Sequence, residues 1–311
     1  MHDAVNEILA QIELVVLGKP YQCKLALACL LAKGHLLIED LPGMGKTSLA
    51  HALASTTGLS YQRVQFTSDL LPGDITGVSI FNPEDNTFVL HKGPLFNQIV
   101  LADEVNRASP KTQSALLEAM AENQVSIDGT TYVLPKPFFV IATQNPSYHS
   151  GTYPLPESQL DRFMMRISLG FPNANAERKI LLGDYEQKRN KLSSVGIDTL
   201  KEMQKDVSLV NVSEAVVSYV IALCHVTRTG DDLNSESINC NPLSPRAAKS
   251  LLNAAKAWAY IHNRDYVLPD DIQAVFEPVC EHRIELNTQH NKERLSQKVI
   301  SMVDVLNPLG V

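Results

Sequence analysis

The sequence predicts an α/β fold, a parallel sheet flanked by helices and followed by a small all-helical part. Three observations predict it. Short apolar runs at 35–39, 61–66, 97–102 and 138–143 alternate with helical patterns, as in a parallel sheet covered on both faces. After residues 171–176 (FPNANA) strand-like runs almost vanish and helical periodicity dominates. Between the first strand and its helix, residues 36–50 read LLIEDLPGMGKTSLA, a Gly-rich turn running into Lys-Thr. Such a turn is how proteins hold the phosphates of a nucleoside triphosphate.

Each element has a local cause. Apolar positions Val5, Ile8, Leu9, Ile12, Val15 and Val16 give residues 4–17 a helical period, broken by Gly18-Lys19-Pro20. A second helix, rich in Ala and Leu, covers 21–33. The helix at 47–58 is stopped by Gly58. Residues 70–77 (LLPGDITG) read as a loop punctuated by Pro and Gly. The runs 78–81 and 88–91 form a hairpin around 82–86 (NPEDN). Pro110 opens an amphipathic helix over 110–122. Asp128-Gly129, between alternating segments, predicts a second hairpin over 124–133. Further helices are expected at 176–190, 212–226, 245–262, 270–282 and 292–305. The expected division is a nucleotide-binding core over 1–170, a connecting segment over 171–190 and a helical lid over 191–311.

The bulk properties narrow the function. A chain of 311 residues holds one large or two ordinary domains. With 44% apolar and 20% charged residues it is an ordinary globular composition. The net charge of -7 argues against a broad nucleic-acid surface. Residues 1–7 carry no basic run before an apolar core, so no signal peptide is expected. No apolar run approaches the roughly 18 residues of a membrane helix. The cysteines at 23, 29, 224, 240 and 280 form no C-x-x-C pair, which reads as reduced thiols in a cytoplasmic protein. Cys224-His225 and Cys280-Glu281-His282 read as ordinary helix residues, because adjacent positions do not close a metal shell.

The candidate chemistry sits at strand ends. Gly43 and Gly45 can turn successive N–H groups toward phosphate. Lys46 would reach the β- and γ-phosphates, and the Thr47 hydroxyl would ligate Mg²⁺. The leading glycine of the general phosphate-loop pattern falls at Asp40. The run 97–104 (NQIVLADE) ends in Asp103, which would hold Mg²⁺ through water, and Glu104, which would polarise the attacking water. Asn145 ends the next strand and could orient the same water. Arg162 either pairs with its neighbour Asp161 or reaches the γ-phosphate of an adjacent subunit. Arg246 opens a helix, a place where a cation is slightly unfavourable, which argues for a function such as sensing γ-phosphate.

In order along the chain stand LIEDLPGMGKT (37–47), QFTSDLLPGDITG (65–77), LADEVNRASPKTQSALLEAM (101–120), IATQNP (141–146) and GTYPLPESQLDRF (151–163). Over nearly its whole length the chain resembles the MoxR family of AAA+ ATPases. The resemblance implies an AAA+ P-loop core and helical lid that bind ATP and Mg²⁺. Nucleotide would meet Asp40, Pro42, Gly43, Met44, Gly45, Lys46, Thr47 and Ser48, with Asp103, Asn145 and Arg246. Thr47 and Asp103 would serve the metal. Glu104, Lys46, Asn145 as sensor 1 and Arg162 as arginine finger would be catalytic, with Arg246 as sensor 2. Residues 66–80 match the family's insert and 124–134 its hairpin, candidate contacts for a client protein. Family members resemble chaperones that assemble as rings, commonly of six. Their clients include metal-cofactor enzymes and proteins with a von Willebrand factor A domain, which here would be a separate polypeptide. Two alternatives are a nucleic-acid-coupled motor and a nucleotide-gated scaffold. The first would want basic loops, whereas 66–80 and 124–134 carry Asp69, Asp74 and Asp128 and no Lys or Arg. The second conflicts with the full set of catalytic residue types.

Overall fold

The computed structural model of the chain describes residues 2–145, 152–183, 192–229, 238–285 and 294–308. Helices α1 (His2–Glu13) and α2 (Pro20–Leu31) lead into β1 (Leu36–Glu39), α3 (Lys46–Thr57) and β2 (Tyr61–Gln65). Then come α4 (Pro72–Thr76), the hairpin β3 (Gly77–Asn82) and β4 (Thr87–Lys92), and β5 (Ile99–Asp103). Next are α5 (Pro110–Glu122), the hairpin β6 (Gln124–Ile127) and β7 (Thr130–Val133), β8 (Phe139–Gln144), α6 (Glu157–Leu160) and β9 (Met165–Ile167). The central sheet has the order β2-β5-β8-β1-β9. Its pairs are all parallel, with Leu36 opposite Ile141 and Gln65 opposite Asp103.

Burial explains the continuous apolar runs. Every residue of β5 is buried, and so is β8 up to its last residue. Strand alternation then divides them between two cores. Ile99, Leu101 and Ile141 face the side packed by α1, α2 and α3, whereas Val100, Ala102 and Val140 face α5. At the edge, β2 leaves Gln62, Arg63 and Gln65 exposed. The open sheet gathers the C-terminal ends of β1, β5 and β8 side by side, the usual ligand position in such sheets.

The second half is helical, as expected: α7 (Ala174–Leu181), α8 (Ile197–Leu209), α9 (Glu214–Thr229), α10 (Pro245–Ile261), α11 (Pro269–Ile284) and α12 (Leu295–Ser301). Asn173 and Ser244 cap α7 and α10 by accepting the N–H groups of Ala176 and Ala247. The carboxylate of Asp271 accepts from Leu268 N–H at 2.8 Å and pairs with Arg264, closing the start of α11. Helix α2 is apolar nearly all round because it is enclosed on several sides, by α1, α8 and α10 among others. The Cys280-Glu281-His282 run is structural. Glu281 accepts the N–H groups of Leu295 and Ser296 and so caps α12, while the His282 ring lies 3.4 Å from the carbonyl of Phe163. No helix among the described residues is long and apolar enough to cross a membrane.

The structure departs from the sequence reading in three places. Residues 72–76 form α4, where a loop was expected. Pro72 occupies the first turn, where its missing N–H does no harm, and Asp74 accepts from Leu71 N–H. Gly77 then reverses the chain at φ +100°, and a Cβ there would lie 2.4 Å from the carbonyl of His91. The second departure is α8, whose buried Leu200, Met203 and Val207 do carry a helical period, but a dilute one between charged residues. The third is β9, three residues long, which is held in the sheet by its pairing with β1. The expected helices at 176–190 and 292–305 extend partly beyond the described residues.

His35, at the foot of β1, is a buried polar group that sets an acid limit. Its Nδ1 accepts from Val140 N–H at 3.0 Å, so the proton sits on Nε2, which donates to the carbonyl of Met120 at 3.2 Å. The ring lies against Phe138 and Phe139. Burial lowers its pKa from 6.5 to about 4. Burial, with Arg283 and Arg166 nearby, also holds His282 well below the ordinary range. Both rings are neutral when folded, and the unfolded chain takes up protons first as pH falls. The His35 contribution, at most ~3 kcal/mol, is therefore complete above the unfolded pKa and is lost as pH falls from 6.5 toward 4. Urea midpoints measured at pH 7.5 and 5 should fall markedly at the lower pH. A His35→Asn variant, weaker at pH 7.5, should show a shallower pH slope.

Candidate active site

The turn after β1 is shaped by its glycines. Gly43 and Gly45 have φ of +85° and +91°, and a Cβ on either would meet no atom within 4 Å. The positive φ requires glycine at both positions, and crowding plays no part. Gly45 is the N-cap of α3 and makes no side-chain cap, which leaves the first N–H groups of that helix available to an anion. Lys46 follows at once. Its Nζ donates to the carbonyl of Asp40 at 2.7 Å and to Oδ1 of Asn145 at 3.4 Å. Burial lowers its pKa, opposed by the charges of Asp103, Asp40 and Glu104.

Asp103 and Glu104, at the end of β5, turn to separate partners. Asp103 Oδ1 accepts the hydroxyl of Thr143 at 2.6 Å. Its Oδ2 accepts Nη2 and Nε of Arg63 at 2.6 and 3.1 Å. Glu104 is a non-glycine residue at φ +57°, an uncommon and mildly strained conformation. Its N–H is anchored on the Thr143 oxygen at 2.9 Å. Its carboxylate accepts from Asn145 Nδ2 at 3.0 Å, Gln65 Nε2 at 2.9 Å and Arg107 Nη1 at 2.8 Å. Lys46, Asn145, Glu104, Thr143 and Asp103 thus form one connected polar chain across β1, β8 and β5.

The carboxylate of Asp40 turns to the far side of the loop. It accepts from Leu169 N–H at 2.6 Å, Gly170 N–H at 2.9 Å and the Ser168 hydroxyl at 3.2 Å. Asp40 therefore ties the phosphate loop to the segment leaving β9 and gives Lys46 its carbonyl. Nearby, Arg166 bridges Glu39 at 3.2 Å and Glu285 of the C-terminal half at 2.7 Å.

The two remaining arginines are placed apart. Asp161 pairs with Arg246 at 3.1 Å and with Arg283 at 2.7 Å. Arg283 is almost fully buried and also donates to the carbonyls of Asp161, Phe163 and Met164. The alternative of an Asp161–Arg162 pair is not formed. Arg162 is exposed, and its Nη1 donates to the carbonyl of Leu117 on α5 at 3.2 Å. Neither Arg162 nor Arg246 hydrogen-bonds to the Lys46–Asp103–Glu104 chain.

Four contributors escaped the sequence reading: Arg63, Gln65, Arg107 and Thr143. Alternation along YQRVQ puts Arg63 and Gln65 on one face of β2, but only the strand order places β2 beside β5. Arg107 lies one turn after Glu104, a spacing the sequence did show.

A glycine turn into a helix, beside two acidic strand ends on a sheet of this order and ahead of a helical lid, defines the AAA+ class of P-loop ATPases. The pattern described as "ATPase family associated with various cellular activities (AAA)" matches residues 35–165, and "AAA lid domain" matches residues 233–301. The uncharacterized protein YeaC of Bacillus subtilis is 42% identical over 96% of this chain and 92% of its own. Chaperone MoxR1 of Mycobacterium tuberculosis is 37% identical over 95% of this chain and 79% of its own. Protein MoxR of Paracoccus denitrificans is 31% identical over 94% and 92%. The crystal structure of a candidate ATPase from Cytophaga hutchinsonii superposes with a TM-score of 0.85 at 36% identity, covering 97% of this chain and 95% of that one. The chain belongs to the MoxR family of AAA+ ATPases, and ATP hydrolysis is its activity.

Thr143 is the hinge of this arrangement. A Thr143→Val change keeps the shape but removes a donor to Asp103 and leaves Glu104 N–H without its acceptor. It should lower stability by ~1–3 kcal/mol, read as a reduced urea midpoint. If Glu104 polarises the attacking water, ATP turnover should fall more than ATP binding, because that carboxylate loses its anchor.

Proposed function

We propose that this chain works as one subunit of a ring that hydrolyses ATP at the subunit boundary to remodel a client protein, so that an isolated subunit turns over poorly. The observation that carries this reading is the placement of Arg162. The residue is exposed, and its guanidinium is bonded to the carbonyl of Leu117 on α5 and not to the Lys46–Glu104 chain of its own subunit. A guanidinium so placed can serve a neighbour's nucleotide.

On this reading ATP lies over residues 42–48, its phosphates met by the loop N–H groups and by Lys46. The donor set offered to a metal, the Thr47 hydroxyl and the Asp103 carboxylate, is all oxygen and suits Mg²⁺, which binds few protein groups beside phosphate and water. When bound there, Mg²⁺ would offset charge on the phosphate oxygens. Glu104 accepts the proton of the attacking water, and Asn145 fixes the direction of its carboxylate. Arg162 of the adjacent subunit stabilises the transferring phosphoryl group. Arg246 exchanges Asp161 for the γ-phosphate when ATP is present and returns to Asp161 after release. That exchange turns the lid on the core, and the turn is the mechanical output.

The client-facing surface on this reading is the pair of hairpins. Val78, Ile80, Phe81, Phe88 and Val89 on β3–β4 and Val133 on β7 are exposed, and Phe88 retains 74% of its accessible surface. Exposed apolar side chains grouped this way suit contact with a partly unfolded or assembling polypeptide. The name of the mycobacterial relative, a chaperone, supports the same reading. We assign a ring of six, a cytoplasmic location, and a client that is a metal-cofactor enzyme or a protein with a von Willebrand factor A domain, in keeping with the family resemblance.

The test is ATP hydrolysis measured against protein concentration. Specific activity should rise as subunits assemble. Glu104→Gln should bind ATP with turnover close to background, and Arg162→Ala should lose about 10³-fold. Concentration-independent turnover, or full activity in Arg162→Ala, would overturn the shared site. ATP binding without Glu104-dependent turnover in the assembled wild type would point to a nucleotide-gated scaffold.

A further inference from the structure

We infer that Arg63 is a built-in place-holder for the divalent cation, a guanidinium that occupies Asp103 until metal and nucleotide displace it. It is a positioning residue that sets how tightly the site takes its metal. The inference rests on the reading of Asp103 as the metal-side carboxylate.

Strand geometry brings the two groups together. Tyr61 and Arg63 share one face of β2, and Tyr61 packs against the core on the α3 side. Ile99, Leu101 and Asp103 share the corresponding face of β5. Arg63 stands opposite Leu101 in the parallel register, so its long side chain leans forward by two residues to reach Asp103. The two carboxylate oxygens then have different fates. Oδ1 is bound to the Thr143 hydroxyl, which also anchors Glu104 N–H, and belongs to the fixed frame. Oδ2 is held by Nη2 and Nε of Arg63. Oδ2 is therefore the oxygen whose accepting positions Arg63 fills, and the one that its departure would open to a metal-bound water.

The pair is lopsided in a way that favours exchange. The Arg63 side chain is 49% exposed and that of Asp103 only 12%. On leaving, Arg63 regains hydration at little cost, as exposed ion pairs generally do. Asp103 cannot leave, and without Arg63 the two carboxylates would keep only Lys46 and Arg107 as nearby cations, one positive charge fewer, which favours the arrival of another cation. Arg63 Nη2 also donates to Oε1 of Gln65 at 3.0 Å, a bond it can keep on leaving Asp103. A guanidinium and a dication cannot share one carboxylate oxygen without strong repulsion, so each weakens the other.

The test is Mn²⁺ binding to the ADP-loaded protein, followed by electron paramagnetic resonance, in the wild type and in Arg63→Met, Arg63→Gln, Arg63→Lys and Asp103→Asn. Removing the charge should tighten Mn²⁺ binding about fivefold or more, while Arg63→Lys stays near the wild type. Metal-free ADP binding should change little. Arg63→Gln keeps a donor to Asp103 without the charge and decides the matter if the Met variant does not fold. Unchanged or weaker Mn²⁺ binding in the neutral variants, with binding lost in Asp103→Asn, would make Arg63 a mere strut and overturn the inference alone. Wild-type Mn²⁺ affinity in Asp103→Asn would overturn the metal reading of Asp103 and this inference with it.

Discussion

Two carboxylates one residue apart, at the end of a strand buried on both faces, must each be neutralised by different groups, and much of the site follows from that requirement. Asp103 continues the strand and meets Arg63 and Thr143. Glu104 breaks from the strand at φ +57° and meets Asn145, Gln65 and Arg107. The left-handed turn at Glu104 is what separates the two charges. Its strain, ~1–3 kcal/mol for such a residue, is offset by the N–H bond to Thr143 and by charge-assisted bonds to the carboxylate.

Those partners come from the two strands that flank β5 and from the turn that follows it, and so the site depends on the order β2-β5-β8-β1-β9. Thr143 and Asn145 stand at the end of β8, between β5 and β1. That position lets Asn145 touch both Glu104 and Lys46. Parallel pairing brings all the C-terminal strand ends to one edge, where the phosphate loop also begins. A sheet of antiparallel strands would scatter these groups to opposite edges.

Acidic residues also join the core to the helical half. Asp40 binds the segment leaving β9, Asp161 holds Arg246 and Arg283, and Glu39 shares Arg166 with Glu285. These junctions differ in burial. Arg283 is buried and bound to several carbonyls, whereas Arg246 is exposed and bound to Asp161. On the proposed cycle the first would be a pivot and the second a releasable latch. Asp161 and Arg162 are adjacent yet face opposite ways, so one short segment links the lid contact to the surface that carries Arg162.

Much of this was legible in the chain. Continuous apolar runs gave away β5 and β8 because both faces of those strands are buried, and Asp128-Gly129 gave away its hairpin because the turn needs positive φ at both positions. The Gly43–Thr47 turn and the Asp103-Glu104 pair are contiguous in sequence, so their chemistry could be read directly. β9 was missed because three residues carry no period of their own, and α4 because Pro72 and Gly73 serve a helix start as well as a loop. By itself, then, the sequence determined the elements whose causes are local, namely glycine turns, caps, apolar periods and adjacent carboxylates. Only the tertiary structure decided that Arg63 meets Asp103, that Asp161 takes Arg246 rather than Arg162, and that the Asp40 side chain holds the segment leaving β9. Each of these is a contact between residues 40 or more positions apart, fixed by strand order and by the packing of the lid on the sheet, which no local pattern encodes.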